Sequence, residues 1–318
     1  MASGVTARER ASRKIQTAAC LIIGDEVLGG KAGDKVDCLW KLTQGKTNSH
    51  SFAKWCFGLG ISLKRVEVVE DDEAEIVEAV RRMSERYDFV VTRQATPFDP
   101  IPSNTYHSSH DDITYKSIAK AFDLPLILHE EAYALMKLIS KPKPDQDVFN
   151  WDEDSPARRA KLRMVELPTD VNRPLEEQFL FPCKELWVPI AVVNGNVHIL
   201  PGIPRLFTQL LKGMTPSILP RLTDPEGKGI IRVSILTPLS ESTVAEYLTE
   251  LAARVEPKGV KVGSYPRWGK KKNVVTLVGR DKEYLETITP EVLLNVKGTL
   301  MTPGKEEEIE DDEVEESK

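Results

Sequence analysis

Four short segments of this 318-residue chain carry oxygen and nitrogen groups at spacings that could do chemistry on a phosphorylated molecule. The first is Gly24-Asp25-Glu26-Val27-Leu28-Gly29-Gly30-Lys31, whose acids can hold a divalent ion while its glycines let backbone approach a phosphate. A polar turn between strand and helix has the same composition. In the second, Thr47-Asn48-Ser49-His50, any of the first three side chains can cap a following helix, and that helix N-terminus would attract an anion. The third, Asp71-Asp72-Glu73, could hydrogen-bond a ribose or a pterin, although acids in a first helical turn also serve the helix dipole. The fourth is His110-Asp111-Asp112-Ile113-Thr114. Adjacent carboxylates there suit a hard metal ion that bridges a diphosphate and activates a water nucleophile. Asp112 or Thr114 opening a helix as its N-cap is the plainer reading.

The elements that must position these groups follow from periodicity. Apolar runs at 18–23, 66–69 and 89–91 read as strands. Between the last two, Ile76, Val77, Val80 and Met83 recur at helical steps over 72–86, with Glu73, Glu75, Glu78, Arg81, Arg82 and Glu85 on the other face. A helix over 48–59 would turn Phe52, Trp55, Cys56 and Leu59 inward and stop at Gly60. This alternation predicts an α/β fold, a parallel sheet with helices on both faces, whose ligands bind beyond the carboxyl ends of the strands. All four segments then fall on one sheet edge.

Further on, 117–122 and 130–139 read as helices, and Asn194-Gly195 between apolar runs at 188–193 and 196–200 signals a two-residue hairpin. Pro201-Gly202-Ile203-Pro204 breaks the strand before a helix from 205. After a Pro- and Gly-bearing boundary at 224–229, strand, helix, strand, strand over 230–278 spell a small α+β module. The expected division is a flexible N-terminus over 1–16, a main domain over 17–224, the small domain over 229–300 and a solvated acidic tail over 305–318.

Composition narrows the function classes. The net charge is −6, of which the final fourteen residues, with nine acids and two bases, supply −7. The remainder is close to neutral, which argues against a nucleic-acid-coating surface. Arg267-Trp268-Gly269-Lys270-Lys271-Lys272 could grip phosphate or stack a base, but reads first as a solvated hairpin tip. No run approaches the roughly 18–20 apolar residues of a membrane helix. The basic N-terminus lacks an apolar segment and contains Glu9, so the expected compartment is the cytosol ahead of the mitochondrion. Cys20, Cys38, Cys56 and Cys183 show no metal or disulfide spacing and read as reduced thiols. His50, His107, His129 and His198 show no ligand-like spacing, and His198, in an apolar strand, reads as a core histidine.

In order, Gly24-Asp25-Glu26-Val27-Leu28, Thr47-Asn48-Ser49-His50, Asp71-Asp72-Glu73, Asp111-Asp112-Ile113-Thr114 and Leu200-Pro201-Gly202-Ile203-Pro204 resemble the MoaB/Mog molybdopterin-binding domain family. Within it the likeness is to the branch of the competence-damage protein CinA and the N-terminal domain of eukaryotic FAD synthase, over about residues 15–220. The segment 163–168 resembles that branch's basic residue and Leu-Pro. The resemblance implies a site for a pterin or nucleotide bearing a pyrophosphate and, in this branch, metal-dependent hydrolysis of FAD or ADP-ribose to FMN or AMP. It implies Asp111, Asp112 and Asp25 as catalytic and metal-holding residues (Mg, Mn or Co), with Glu26 an alternative ligand. Gly24, Glu26, Asn48, Ser49, Asp71, Thr114, Arg163 and Gly202 would bind the ligand, Asn48 and Arg163 orienting phosphate and ribose. It also implies self-association. A non-catalytic module holding molybdopterin, a nucleotide or a protein is the rival reading. FAD synthesis is not expected, because no nucleotidyl-transferase segment follows.

The pattern departs from the family twice. Residues 32–46 intervene before Thr47, and after the third strand the family's glycine-rich turn is replaced over 93–109 by a stretch opening Arg93-Gln94-Ala95-Thr96-Pro97, with Pro100 and Pro102 and no glycine. A phosphate nest needs successive N–H groups in conformations that glycine allows and proline forbids, so that cradle is expected to be absent or deformed. Neither segment is periodic, the pattern that translated unspliced introns or a wrong gene model would give. Surface loops of this length cost little, about 0.6 kcal/mol of closure entropy per doubling, so the core is expected to tolerate them.

Overall fold

The computed structural model describes residues 5–28, 48–94, 113–139, 149–224, 229–266 and 272–301. The acidic tail, residues 267–271, Asp111 and Asp112 lie outside the described residues. The chain divides into two compact units, 1–227 and 228–318.

The first unit runs α1 (Ala7–Ser12), β1 (Thr17–Ile23), α2 (Asp25–Leu28), α3 (Asn48–Gly58), β2 (Ser62–Val69), α4 (Glu73–Arg86), β3 (Phe89–Gln94) and α5 (Ile113–Ala121). It continues through β4 (Leu126–Leu128), α6 (Glu130–Ile139), α7 (Pro156–Arg163), β5 (Glu166–Pro168), β6 (Phe179–Leu180), β7 (Ile190–Val193), β8 (Val197–Leu200) and α8 (Pro204–Ile218). The main sheet has the order β2-β1-β3-β8-β7-β6. Its first four strands are parallel, and β7 and β6 add on antiparallel. This is the α/β sheet expected from the alternation of strand and helix.

Strand β1 shows why it is apolar throughout. Ala19, Leu21 and Ile23 face a core built with Ile76, Val80 and Met83 of α4 and Ile118 of α5. Ala18, Cys20 and Ile22 face the other core, with Phe52 and Cys56 of α3 and Phe207, Leu210 and Met214 of α8. Alternate residues of a strand point to opposite faces, so a central strand covered on both sides has no polar position. Each fully buried Leu or Ile contributes about 1.5–3 kcal/mol.

The expected hairpin is present. Asn194 and Gly195 adopt φ of +50° and +77° between β7 and β8. A Cβ at Gly195 would stand 1.9 Å from the Ala7 carbonyl oxygen, so α1 lies directly against this turn. Residues 7–12 of the expected N-terminal segment thus form a helix seated on the hairpin. Thr6 and Glu9 form a capping box on α1, Arg221 Nη2 donates to Arg10 O at 3.1 Å, and buried Ile15 bridges to Leu222.

The second unit runs β9 (Ile231–Thr237), α9 (Glu241–Val255), β10 (Lys261–Tyr265), β11 (Asn273–Gly279), α10 (Lys282–Asn295) and β12 (Thr299–Leu300), with sheet order β10-β11-β9-β12, all antiparallel. Ile235, Val275 and Leu277 of the sheet pack on Val244, Leu248 and Leu251 of α9 and Leu285, Ile288 and Val292 of α10. No helix among the described residues is long and apolar enough to cross a membrane.

Candidate functional site

The carboxyl ends of β2, β1, β3 and β8 lie side by side: Ile23 pairs with Val69 and with Gln94, and Arg93 pairs with Leu200. Gly24 leaves β1 with φ +152°, which favours glycine, and its N–H donates to Val69 O at 3.0 Å. This pins the first two turns together. Asp25 and Asp71 then close on each other. The Asp71 N–H donates to Asp25 Oδ1 at 3.0 Å, and the Asp25 N–H to Asp71 Oδ2 at 3.3 Å. Two acids from separate turns are thereby held on one rim. Neighbouring Asp72 has a different task, its Oδ1 accepting from Ala74 N at 2.8 Å and Glu75 N at 3.0 Å as the cap of α4.

On the α3 and α8 side of the same edge, Asn48 opens α3 and is only 3% exposed. Its Nδ2 donates to Gly202 O at 2.6 Å, in the turn after β8, while Oδ1 is buried with no hydrogen-bond partner among the described residues. The amide therefore ties two turns together instead of capping its own helix. Arg93 Nε donates to the same Gly202 oxygen at 3.3 Å. The guanidinium field reaches Cys20 one strand away: burial pushes that thiol up to about 12, and Arg93 opposes the rise.

Gly24, Asp25, Asp71 and Gly202 thus sit on one edge, each just after a strand, and the Asn48 amide at the start of α3 is tied to that edge through Gly202. Ser49 follows Asn48 half-buried, and Thr114 is buried in the first turn of α5. Asp111 and Asp112 lie outside the described residues, as does the Glu26 side chain. Arg163 shows no tie to the rim among the described residues. It stands exposed at the end of α7 and, among the described residues, bonds to none of the rim groups; α7 leads into β5, which pairs with β4 and not with the main sheet. Among the described residues no group of three or more His, Cys, Asp or Glu is placed to hold a metal ion. Arg93 is the residue that sequence reasoning passed over, weighing it as a departure from glycine. Its signal was a cation at the end of a central parallel strand.

Away from the rim, two histidines are held inside the packing. His198 is buried with Nδ1 3.2 Å from Asn196 O, and burial followed by the Arg221 charge pushes it down to about 3. His129 accepts from Ala132 N through Nδ1 at 3.2 Å in the first turn of α6, its pKa lowered chiefly by burial.

Fold and rim together define an α/β domain whose candidate residues gather at the carboxyl ends of parallel strands, and a separate small α+β unit. Residues 19–100 match the model described as "Probable molybdopterin binding domain", and residues 230–303 match "FAD synthase, middle domain". These matches bear out the resemblance to the MoaB/Mog family and its CinA and FAD synthase branch. Among curated proteins, the chain is 26% identical over 284 residues to "Probable FAD synthase" of Caenorhabditis elegans, covering 86% of this chain and 48% of that protein. It is 26% identical over 250 residues to a "CinA-like protein" of Syntrophotalea carbinolica, covering 77% of this chain and 50% of that one. The chain spans about half the length of these relatives. The solved structure of CinA from Thermoplasma acidophilum is similar at a TM-score of 0.45 and 24% identity, covering 64% of this chain and 99% of that one.

Proposed function

We propose that this rim binds a dinucleotide of the FAD or ADP-ribose type and that the chain is a divalent-metal-dependent diphosphatase, releasing FMN and AMP from FAD. The supporting observation is the reciprocal Asp25–Asp71 pair on the same edge as the Asn48, Gly202 and Arg93 group. The two carboxylates are hard oxygen donors, the kind that Mg, Mn and Co ions take, and they fit an ion as two of its ligands. Asp111 and Asp112 would complete the set by sequence. Bound there, the ion supplies charge neutralisation and acidifies a water molecule. In hydrolysis the water oxygen bonds to one phosphorus, the P–O bond to the bridging oxygen breaks, that oxygen leaves on the other phosphate, and the water protons pass to solvent.

The chain's own residues do the binding. Asn48 Oδ1, buried and unpartnered among the described residues, accepts an N–H or O–H donor of the ligand, which relieves an unpaired acceptor costing about 1–3 kcal/mol. The relatives named FAD synthase support a flavin dinucleotide as the substrate class. A molybdopterin, which also joins a ring to phosphate, fits the same groups.

The test is direct: purified full chain with FAD or ADP-ribose and Co²⁺, Mn²⁺ or Mg²⁺, followed for FMN or AMP. Asp25→Asn and Asp71→Asn should each lower turnover on the order of a hundredfold. Undiminished turnover in the double variant would sink the reading. The replacement of the glycine turn from Arg93 onward favours a second reading, a binding module without turnover. Ligand binding by calorimetry with no product at any of the three metals would establish it.

A further inference from the structure

We infer that Arg93 is the cation that neutralises ligand phosphate at this rim, doing by charge what a glycine-rich turn does with backbone N–H groups. The inference rests on the reading above, that the rim takes a diphosphate. Arg93 lies in the last turn-ward residues of β3, paired with Ile22 of β1 and Leu200 of β8, so it stands at the middle of the parallel edge. It is half-buried, and its Nε shares the Gly202 oxygen with Asn48 Nδ2, at 3.3 and 2.6 Å. That shared acceptor fixes the guanidinium beside the Asn48 amide.

Charge accounting gives the site a need for it. A diphosphate brings about two negative charges to an edge that already carries Asp25 and Asp71. A divalent ion alone leaves that sum negative, and each further fixed positive charge lowers the cost of binding. Arginine suits the task because its planar fork matches phosphate oxygens and it stays charged when half-buried. The local sequence removes the competing device: no glycine occurs from Arg93 to Ser109, and Pro97, Pro100 and Pro102 have no N–H to give.

A residue that only braced the 201–203 turn would behave differently from one that meets phosphate, and salt separates the two. The full-length chain with Mn²⁺ is titrated calorimetrically with a methylene-bridged, non-hydrolysable analogue of ADP-ribose and with inorganic pyrophosphate at several NaCl concentrations. Wild type should bind both, more weakly as salt rises. Arg93→Gln keeps a donor for Gly202 without the charge, and should lose ten- to a hundredfold in affinity for both probes and show a shallower salt dependence. Arg93→Lys should stay within tenfold of wild type with the salt dependence intact. Wild-type affinity in Arg93→Gln overturns the inference, as does a loss with unchanged salt dependence. Should Arg93→Gln fail to fold, Arg93→Lys with a shallower salt dependence than wild type overturns it. Wild type binding neither probe would defeat the proposed function itself, and this inference with it.

Discussion

His198 lies in β8 at 2% exposure, its ring centroid 4.2 Å from that of Phe89 and its Nδ1 3.2 Å from Asn196 O. Burial, then the nearby Arg221, hold its pKa at about 3 against an ordinary 6.5. The folded state therefore favours the neutral ring. The stability this lends is fully present above pH 6.5 and is lost as pH falls from there toward 3, by about 1.4 kcal/mol per pH unit. His198→Gln cannot take up that proton. Between about pH 7 and about pH 4.5, wild type should lose about 2–3 kcal/mol more than the variant in urea-unfolding free energy. Parallel losses would show that the ring is not what titrates. The core role of His198 was legible from its apolar strand, and the rim positions of Asp25 and Asp71 from their places just after strands, whereas Asn48 was legible only as the start of a helix. Arg93 was not, since a strand-end arginine and a surface arginine look alike until Gly202 is brought to it.

Periodicity recovered the elements with a buried face and failed on those without one. Helix α4 matched its apolar pattern, with Ile76, Val80 and Met83 buried. The α1 helix buries no residue and shows only the Thr6 and Glu9 box, so a reading by apolar period passes over it. Strand β2 begins at Ser62, four residues ahead of its apolar run, because an edge strand tolerates Lys64 and Arg65 facing solvent. Helix α10 was missed behind Pro290, although Leu285, Ile288 and Val292 line one buried face. Adjacent Asp71 and Asp72 show how element ends divide labour: one faces the rim and the other caps α4 through Ala74 and Glu75. Asp72→Ala should cost about 1 kcal/mol in stability, within 0.5–2, and leave nucleotide binding unchanged. Denaturant unfolding beside calorimetry would check both halves, and a variant that loses binding but not stability would reassign Asp72 to the rim.

At the scale of the whole molecule, each unit has its own core. The second is built from four antiparallel strands and two helices, with Ile235, Val275 and Leu277 closed over by Val244, Leu251, Leu285 and Val292. Only β10 and β11 are joined by a short connection, while β9 pairs with β11 and β12 across the intervening helices; all of these pairings lie within residues 228–318, so this unit has what independent folding requires. Its size sets the limit, because a domain with so few structured residues reaches only about 3–5 kcal/mol from a single core. A fragment of residues 228–318 should therefore give one cooperative thermal transition by circular dichroism, with far-ultraviolet signal for both helix and strand. Every rim group described, from Gly24 to Gly202, belongs to the first unit. A fragment of residues 1–227, once shown to melt cooperatively, should bind the non-hydrolysable ADP-ribose analogue and inorganic pyrophosphate with Mn²⁺ within about threefold of the full chain, less than 1 kcal/mol. A larger loss in a folded 1–227 fragment would mean that residues beyond 227 contribute to the ligand site, and the rim would have to be redrawn to include them.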